Sequence, residues 1–357
     1  MDPKEIESMR KLSLKEAPFE VTGLPWLYKY GKYDRVPEEV LPKGLPDIFY
    51  EVARDTTGGI ARIRTNSQKV YFKANVKMTK PYLYHMSQVG HSGFDFHVKY
   101  DNEELRFIHP TTTLVHDVTS CETEIAVRSN SLYDGSGSGA AREGLYYDLY
   151  IVLPIYNCVD EAFVYFDADA DILPPTPLKY SKPVVFYGSS ITQGACASRA
   201  STCYTNRIAL ELGTPIINFG FSGNARGEQW MADIIADRDM SVFVLDYDHN
   251  ADTVEMLKNT HEAFYKTVRK KHPDTPVIFV TKPDYRFTLD DNDARREVIR
   301  GTYERAKAAG ENVYFVDGKD FFGADRYYCL VDNCHPNDLG FDKMTKAIKP
   351  LVAKLLG

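Results

Sequence analysis

Long apolar runs are missing from this sequence. No window approaches the eighteen apolar residues of a membrane span, and the opening "MDPKEIESMRKLSLKEAPFE" has no apolar core of the kind that directs export. The expectation is a soluble chain, cytoplasmic by default, and periplasmic or secreted if its start is processed. Basic excess is missing too: 43 Lys and Arg stand against 50 Asp and Glu, a net charge of −7. That balance supplies neither a nucleic-acid footprint nor a basic membrane face. Cysteine is sparse, with six residues at 121, 158, 196, 203, 329 and 334, no C-x-x-C pair for zinc or redox chemistry, and no disulfide-scaffold spacing. Cys196 with Cys203, or Cys329 with Cys334, could pair in an oxidising compartment, but free, partly buried thiols are the default. Internal repeats and low-complexity tracts are absent as well. The 24 Tyr and 19 Phe suit sugar-facing surfaces, and suit ordinary β-cores at least as well.

What is present is enough chain for two domains, 357 residues, and two different periodicities. From about residue 18 to 178 the pattern is short and alternating, as in "ARIRTNSQKVYFKANVKM", "FDFHVKY", "TEIAVRS", "YYDLYIVLPIYN" and "EAFVYFDAD", with turn clusters such as "DTTGG" and "DGSGSG" between the runs. This predicts an antiparallel β-sandwich or jelly roll over residues 1–178. After the proline-rich linker "DILPPTPLKYSKP" the pattern changes. Wholly apolar strands "VVFYG", "PIINFG", "VFVLDY", "PVIFVT" and "NVYFVD" alternate with helical stretches near 203–212, 228–237, 252–271, 292–309 and 339–355. Residues 179–357 are therefore expected to form an α/β domain with a parallel sheet covered on both faces.

Ligands of such sheets bind beyond the carboxyl ends of the strands, so the residues after each strand are the candidates. The first strand leads to Gly188-Ser189-Ser190, the second to "NFGFSGNA" with Gly223, the third to "DYDHN", and the fifth, through a loop, to "VDNCHPND". Hydroxyls, glycine amides, a carboxamide and an Asp/His pair are the parts of an acyl-transfer site. Ser189 and Ser190 also fit a plain turn and helix cap. Neither a G-x-S-x-G elbow nor a phosphate-binding loop is present, because Thr192 stands two residues after Ser190 and no Lys follows Gly194. Of the three histidines in His-Pro pairs, His109 and His272 have Arg106 and Arg269 three residues before them, and only His335 has a carboxylate there, Asp332. A D-x-x-H loop can curl so that the Asp meets Nδ1 and leaves Nε2 for a serine. Asp246 and His249 share that spacing and are the rival pair, although residues three apart on an extended segment face opposite ways. A metal site from Asp246, Asp248 and His249, as in a metal-dependent phosphoesterase, is the remaining alternative. The Asn250 side chain and the N–H groups of Ser190 and Gly223 can donate to a developing oxyanion.

The order Ser, Gly, Asn, Asp-x-x-His in "GSSIT", "NFGFSGNA", "DYDHNA" and "DNCHPNDLGF" resembles the SGNH hydrolases, the GDSL-like esterase and lipase superfamily, along residues 183–357. Ser189 stands where the family has Asp, and the third block lacks the usual Gly before Asn250. "GFDFH", residues 93–97, is similar to the Gly-x-Asp-Leu-Tyr motif of an amino-terminal β-sandwich found in one branch, with Phe96 and His97 departing from it. The resemblance implies a three-layer, flavodoxin-like α/β/α domain with a five-stranded parallel sheet. It implies Ser190 as nucleophile, His335 and Asp332 completing a triad, and Ser190, Gly223 and Asn250 as the oxyanion hole. It further implies hydrolysis of an acyl ester, acetyl or another short chain, on a sugar, with no metal or organic cofactor. A non-catalytic carbohydrate-binding protein on the same scaffold is the alternative of a different class, and an oligomeric state is left open. Loops 192–203 and 282–293 are expected to shape the acyl pocket, with Arg199 a solvated arginine or a contact to an anionic group.

Overall fold

The computed structural model describes residues 1–77, 83–111, 119–127, 145–283 and 291–357. The "DGSGSG" turn, the end of "TEIAVRS" and residues 284–290 of the 282–293 loop lie outside the described residues. The chain forms two compact units: Met1–Pro37, Arg54–Pro177 and Arg199–Ser201 make the first, and Glu38–Ala53, Leu178–Ser198 and Thr202–Gly357 the second. Neither unit is one contiguous stretch of chain.

The first unit holds two antiparallel sheets. One has the order β1-β9-β4-β7, from β1 (Arg10–Ser13), β4 (Val70–Lys77), β7 (Ser120–Ile125) and β9 (Cys158–Phe166). The other has the order β10-β3-β8-β5-β6, from β3 (Ile60–Thr65), β5 (Asp95–Tyr100), β6 (Arg106–Pro110), β8 (Tyr147–Val152) and β10 (Ile172–Leu173), with β2 (Glu20–Thr22) also on β3. Alternation decides which side chains meet. Val70, Phe72, Ala74 and Val76 of β4 point inward while Lys73 and Lys77 are exposed, and the inward set shares one core with Ile63, Phe96, Leu149 and Ile151 of the other sheet. Phe72 bridges the two, its ring 4.8 Å from that of Phe94 and 5.1 Å from that of Phe96. The predicted β-sandwich is present.

The second unit is built on the parallel sheet β12-β11-β13-β14-β15, made of β11 (Val184–Gly188), β12 (Ile216–Gly220), β13 (Val242–Asp246), β14 (Val277–Val280) and β15 (Val313–Val316). Strands β11 to β14 are buried along their whole length, which is why they read as unbroken apolar runs. Helices Tyr204–Leu212, Gln229–Ala236, Val254–Lys271, Asn292–Ala308 and Asp338–Leu356 cover it, close to the predicted spans. In Val254–Lys271 the buried Leu257, His261, Phe264, Tyr265 and Val268 form one stripe at helical spacing, and Phe264 stacks 4.4 Å from Tyr187. Register then places the site. Gly188 pairs with Gly220 on one side and with Asp246 on the other, so β11, β12 and β13 end level, and the loops carrying Ser190, Gly223 and Asn250 leave from the same edge.

Candidate active site

The chain can leave β11 sharply only because residue 188 is glycine. A Cβ there would lie 2.0 Å from Thr192 Oγ1 and 2.3 Å from the Asp246 carbonyl oxygen. Ser189 is the turn residue, its Oγ accepting the Ile191 N–H at 3.2 Å as the N-cap of the short helix Ser190–Gln193. Ser190 therefore opens that helix, 4% exposed, and its Oγ lies 2.9 Å from His335 Nε2.

Behind that contact the "DNCH" segment curls on itself as its spacing predicts. Asp332 Oδ1 accepts the N–H groups of Cys334 and His335 at 3.1 and 2.8 Å, while Oδ2 lies 2.8 Å from His335 Nδ1. Asn333 makes the curl possible with a φ of 63°, a left-handed conformation that asparagine tolerates better than most residues. The loop is closed by the Val331 N–H bonded to the His335 carbonyl at 2.9 Å. Burial alone would raise the Asp332 carboxyl. The N–H bonds from His335 and Cys334 and the adjoining imidazole outweigh it and hold the group below its ordinary range. Ser190, His335 and Asp332 are thus one hydrogen-bonded chain, assembled from residues 145 and 3 positions apart.

Two further loops supply donors. Residues Phe221–Asn224 form a tight turn, closed by the Asn224 N–H on the Phe221 carbonyl at 2.9 Å, with Gly223 at a φ of 68°. Among the described residues neither the Ser190 nor the Gly223 N–H meets an acceptor. Asn250 Nδ2 donates to the Phe221 carbonyl at 3.0 Å, which fixes the carboxamide and leaves its second N–H. Asn218 braces the same edge, donating to the Thr192 carbonyl at 2.7 Å and accepting the Gly220 N–H at 2.8 Å.

The structure separates the rival pair. The Asp246 carboxyl is buried, accepts from Tyr204 OH at 3.0 Å and Thr192 Oγ1 at 3.1 Å, and is pushed well above the ordinary carboxylate range by burial and by Asp248. His249 turns away, its Nε2 2.9 Å from Cys334 Sγ. Asp246, Asp248 and His249 therefore do not converge on one point. The other His-Pro histidines are structural: His272 Nε2 meets the Ala236 carbonyl at 2.9 Å, and His109 Nε2 accepts the Ala126 N–H at 3.3 Å. None of the six cysteines, all among the described residues, forms a disulfide.

Sequence reasoning missed two arrangements. Asp338, at the start of the last helix, accepts from the Ser198 N–H at 2.9 Å, from Ser198 Oγ, and from Thr202 Oγ1 at 2.8 Å. It grips both stems of the 199–201 tip, and only the helix-opening position hinted at a capping acid. Arg199 is half-buried and paired rather than freely solvated. Its guanidinium lies 3.0 Å from the buried Asp95 carboxylate and 3.6 Å from the centre of the Phe107 ring. Asp95, the acid of "GFDFH", also accepts the Ser201 N–H at 2.7 Å.

Family comparison agrees with this architecture. Residues 181–353 match the GDSL-like Lipase/Acylhydrolase family, and residues 11–172 match the GxDLY family, described as the N-terminus of Esterase_SGNH_hydro-type. The chain belongs to the GDSL-like, SGNH-type esterases that carry a GxDLY amino-terminal domain, and is a carboxylic ester hydrolase. Among solved structures it is similar to a protein described as a GDSL-like lipase from Bacteroides ovatus, at 26% identity, TM-score 0.82 and 98% coverage of both chains. It is similar in fold to the salicylyl-acyltransferase SsfX3 of a tetracycline biosynthetic pathway, at 19% identity, TM-score 0.75 and 98% coverage of both chains. The same holds for the acetyl xylan esterase Est2A from the rumen bacterium Butyrivibrio proteoclasticus, at 13% identity, TM-score 0.56 and coverage of 98% of this chain and 100% of that one. No curated protein matches the chain. No described helix is long and apolar enough to cross a membrane.

Proposed function

We propose that this esterase hydrolyses a short-chain acyl ester, acetyl first among them, on a carbohydrate, with Ser190 as nucleophile, His335 as general base and acid, and Asp332 as the group that orients and charge-stabilises the imidazole. The observation that carries the reading is the hydrogen-bonded chain Ser190 Oγ to His335 Nε2 at 2.9 Å and His335 Nδ1 to Asp332 at 2.8 Å. Ser190 Oγ adds to the ester carbonyl as its proton passes to His335 Nε2. The N–H groups of Ser190 and Gly223 and the second N–H of Asn250 Nδ2 receive the oxyanion. Collapse expels the sugar alkoxide, which takes the proton from His335, and leaves an acyl-Ser190 ester. Water then repeats the sequence and releases the acid. Asp332 is suited to its part because it stays ionised below the ordinary carboxylate range.

The sugar-ester assignment leans on the domain pair and on the likeness in fold to an acetyl xylan esterase. Two measurements test the proposal. Ser190→Ala should lower kcat on an aryl acetate by a factor on the order of 10⁴ or more with the fold intact by circular dichroism, and a fully active variant overturns the nucleophile assignment. For the substrate, kcat/KM on acetylated oligosaccharides should exceed that on long-chain acyl esters at least tenfold. The reverse order overturns the sugar-ester reading.

A further inference from the structure

His249 and Cys334 have no part in ester hydrolysis as proposed above, yet each is the chain neighbour of a residue that does. His249 precedes Asn250 in the turn after β13, and Cys334 precedes His335 in the loop before the last helix. The two side chains meet, His249 Nε2 lying 2.9 Å from Cys334 Sγ across 85 positions of sequence. One side-chain contact therefore joins the loop that carries a proposed oxyanion donor to the loop that carries the proposed general base.

Each loop is fixed on its own side. Arg295, buried in the helix Asn292–Ala308, donates from Nη1 to the carbonyls of Asp248 at 3.0 Å and Ala251 at 2.6 Å, which brackets His249 and Asn250. The Lys282 N–H, just beyond β14, donates to Asp248 Oδ2 at 3.2 Å and ties the same turn to the sheet. The other loop is closed at its stem, where Leu330 bridges to Pro336 and the Asn337 N–H meets the Cys329 carbonyl at 2.9 Å. The Asp332 curl is internal to this loop. It fixes His335 against Asp332 and leaves the placement of both against the β13 turn to contacts outside the loop. The His249–Cys334 contact is made at that junction, and placement there matters, because a displacement of about 1 Å between reacting groups can cost about 10²-fold in rate.

We propose that His249 is a positioning residue that acts through Cys334, setting the placement of His335 against Asn250 and so aligning the proton acceptor with the oxyanion site. The tether needs a hydrogen-bonding atom at each end, a thiol or hydroxyl at 334 and a nitrogen or amide group at 249. Its effect on rate rests on the proposed roles of His335 and Asn250, whereas the contact itself rests on the geometry alone.

Two readouts on the whole protein separate these. Cys334→Ala and His249→Ala should each lower kcat on an aryl acetate by about tenfold to 10²-fold, with KM changed by less than about threefold and the fold intact by circular dichroism. The double variant should fall no further than the slower single variant, because both substitutions remove one contact. Cys334→Ser and His249→Gln keep a hydrogen-bonding atom at each end and should stay within about threefold of the wild-type kcat. Should His249→Ala not fold, Cys334→Ala against Cys334→Ser decides. The second readout is independent of the mechanism. Cys334 is the one cysteine of the six that is not buried, and its reaction with a chromogenic disulfide reagent should be at least about fivefold faster in His249→Ala than in wild type, with Cys334→Ala as the blank. An unchanged thiol rate, wild-type kcat in both alanine variants of an enzyme that Ser190→Ala inactivates, or losses that multiply in the double variant overturns the proposal. A faster thiol alongside a fully active Ser190→Ala protein supports the tether and overturns the nucleophile assignment instead.

Discussion

Asn250 has two N–H groups on one nitrogen, and the fold uses one of them. Held at 3.0 Å by the Phe221 carbonyl, the carboxamide is already oriented, so in the proposed mechanism its contribution as an oxyanion donor falls on the chemical step. Asn250→Ala should therefore lower kcat by about 10²–10³ with a much smaller change in KM, read by steady-state kinetics on an aryl acetate. The same logic tests the carboxylates. Asp332→Asn should lose orders of magnitude in kcat, and Asp246→Asn should change stability more than rate, because Asp246 faces Tyr204 and Thr192 rather than a histidine. Spacing made part of this legible: Asp332 and His335 are three apart, and a polar three-residue curl has few ways to close. The Cys334 contact with His249 was not legible, since a thiol between Asn333 and His335 gives no periodic signal and its partner comes from a distant loop. Ser189 and Ser190 could be told apart only by resemblance, and the backbone then shows why the first is a cap.

At the scale of elements, wholly apolar runs and stripes at helical spacing fixed the five parallel strands and their covering helices to within a residue or two. That precision has a physical source, because burial on both faces leaves no alternative period. Loops lack such a constraint, and there the structure adds what the pattern could not. Asp338 holds Ser198 and Thr202 together from the first turn of the last helix, so Asp338→Ala should cost roughly 1–3 kcal/mol in denaturant unfolding. After β13, the wholly buried Asp248 is raised to about 6, first by burial, against relief from Lys282 and Arg295. Its folded form binds a proton that the unfolded chain, near the ordinary carboxylate value of about 3.9, has already released. Stability from this group is therefore highest below about pH 4 and declines as pH rises to about 6. Relative to wild type, Asp248→Asn should gain up to roughly 3 kcal/mol between those limits, followed by urea unfolding across the range.

At the scale of the molecule, two periodicities announced two architectures, and both are present. Invisible in any window of sequence was the exchange of segments: Arg199–Ser201 lies in the first unit, and Glu38–Ala53 in the second, where Phe49 packs edge-on at 5.5 Å against Trp230. Asp95 makes the first exchange consequential. Its buried carboxyl is raised by burial, and Arg199 and Ser201 oppose that rise. A piece ending at residue 178 retains the acid and loses both donors. A piece starting at 179 retains the sheet and loses the helix Asp47–Ala53. The esterase is consequently not portable as a stretch of gene. Whoever grafts it onto another carrier, or trims it for secretion or display, must move a discontinuous set of residues or re-engineer Asp95 and the Trp230 surface to live without their borrowed neighbours.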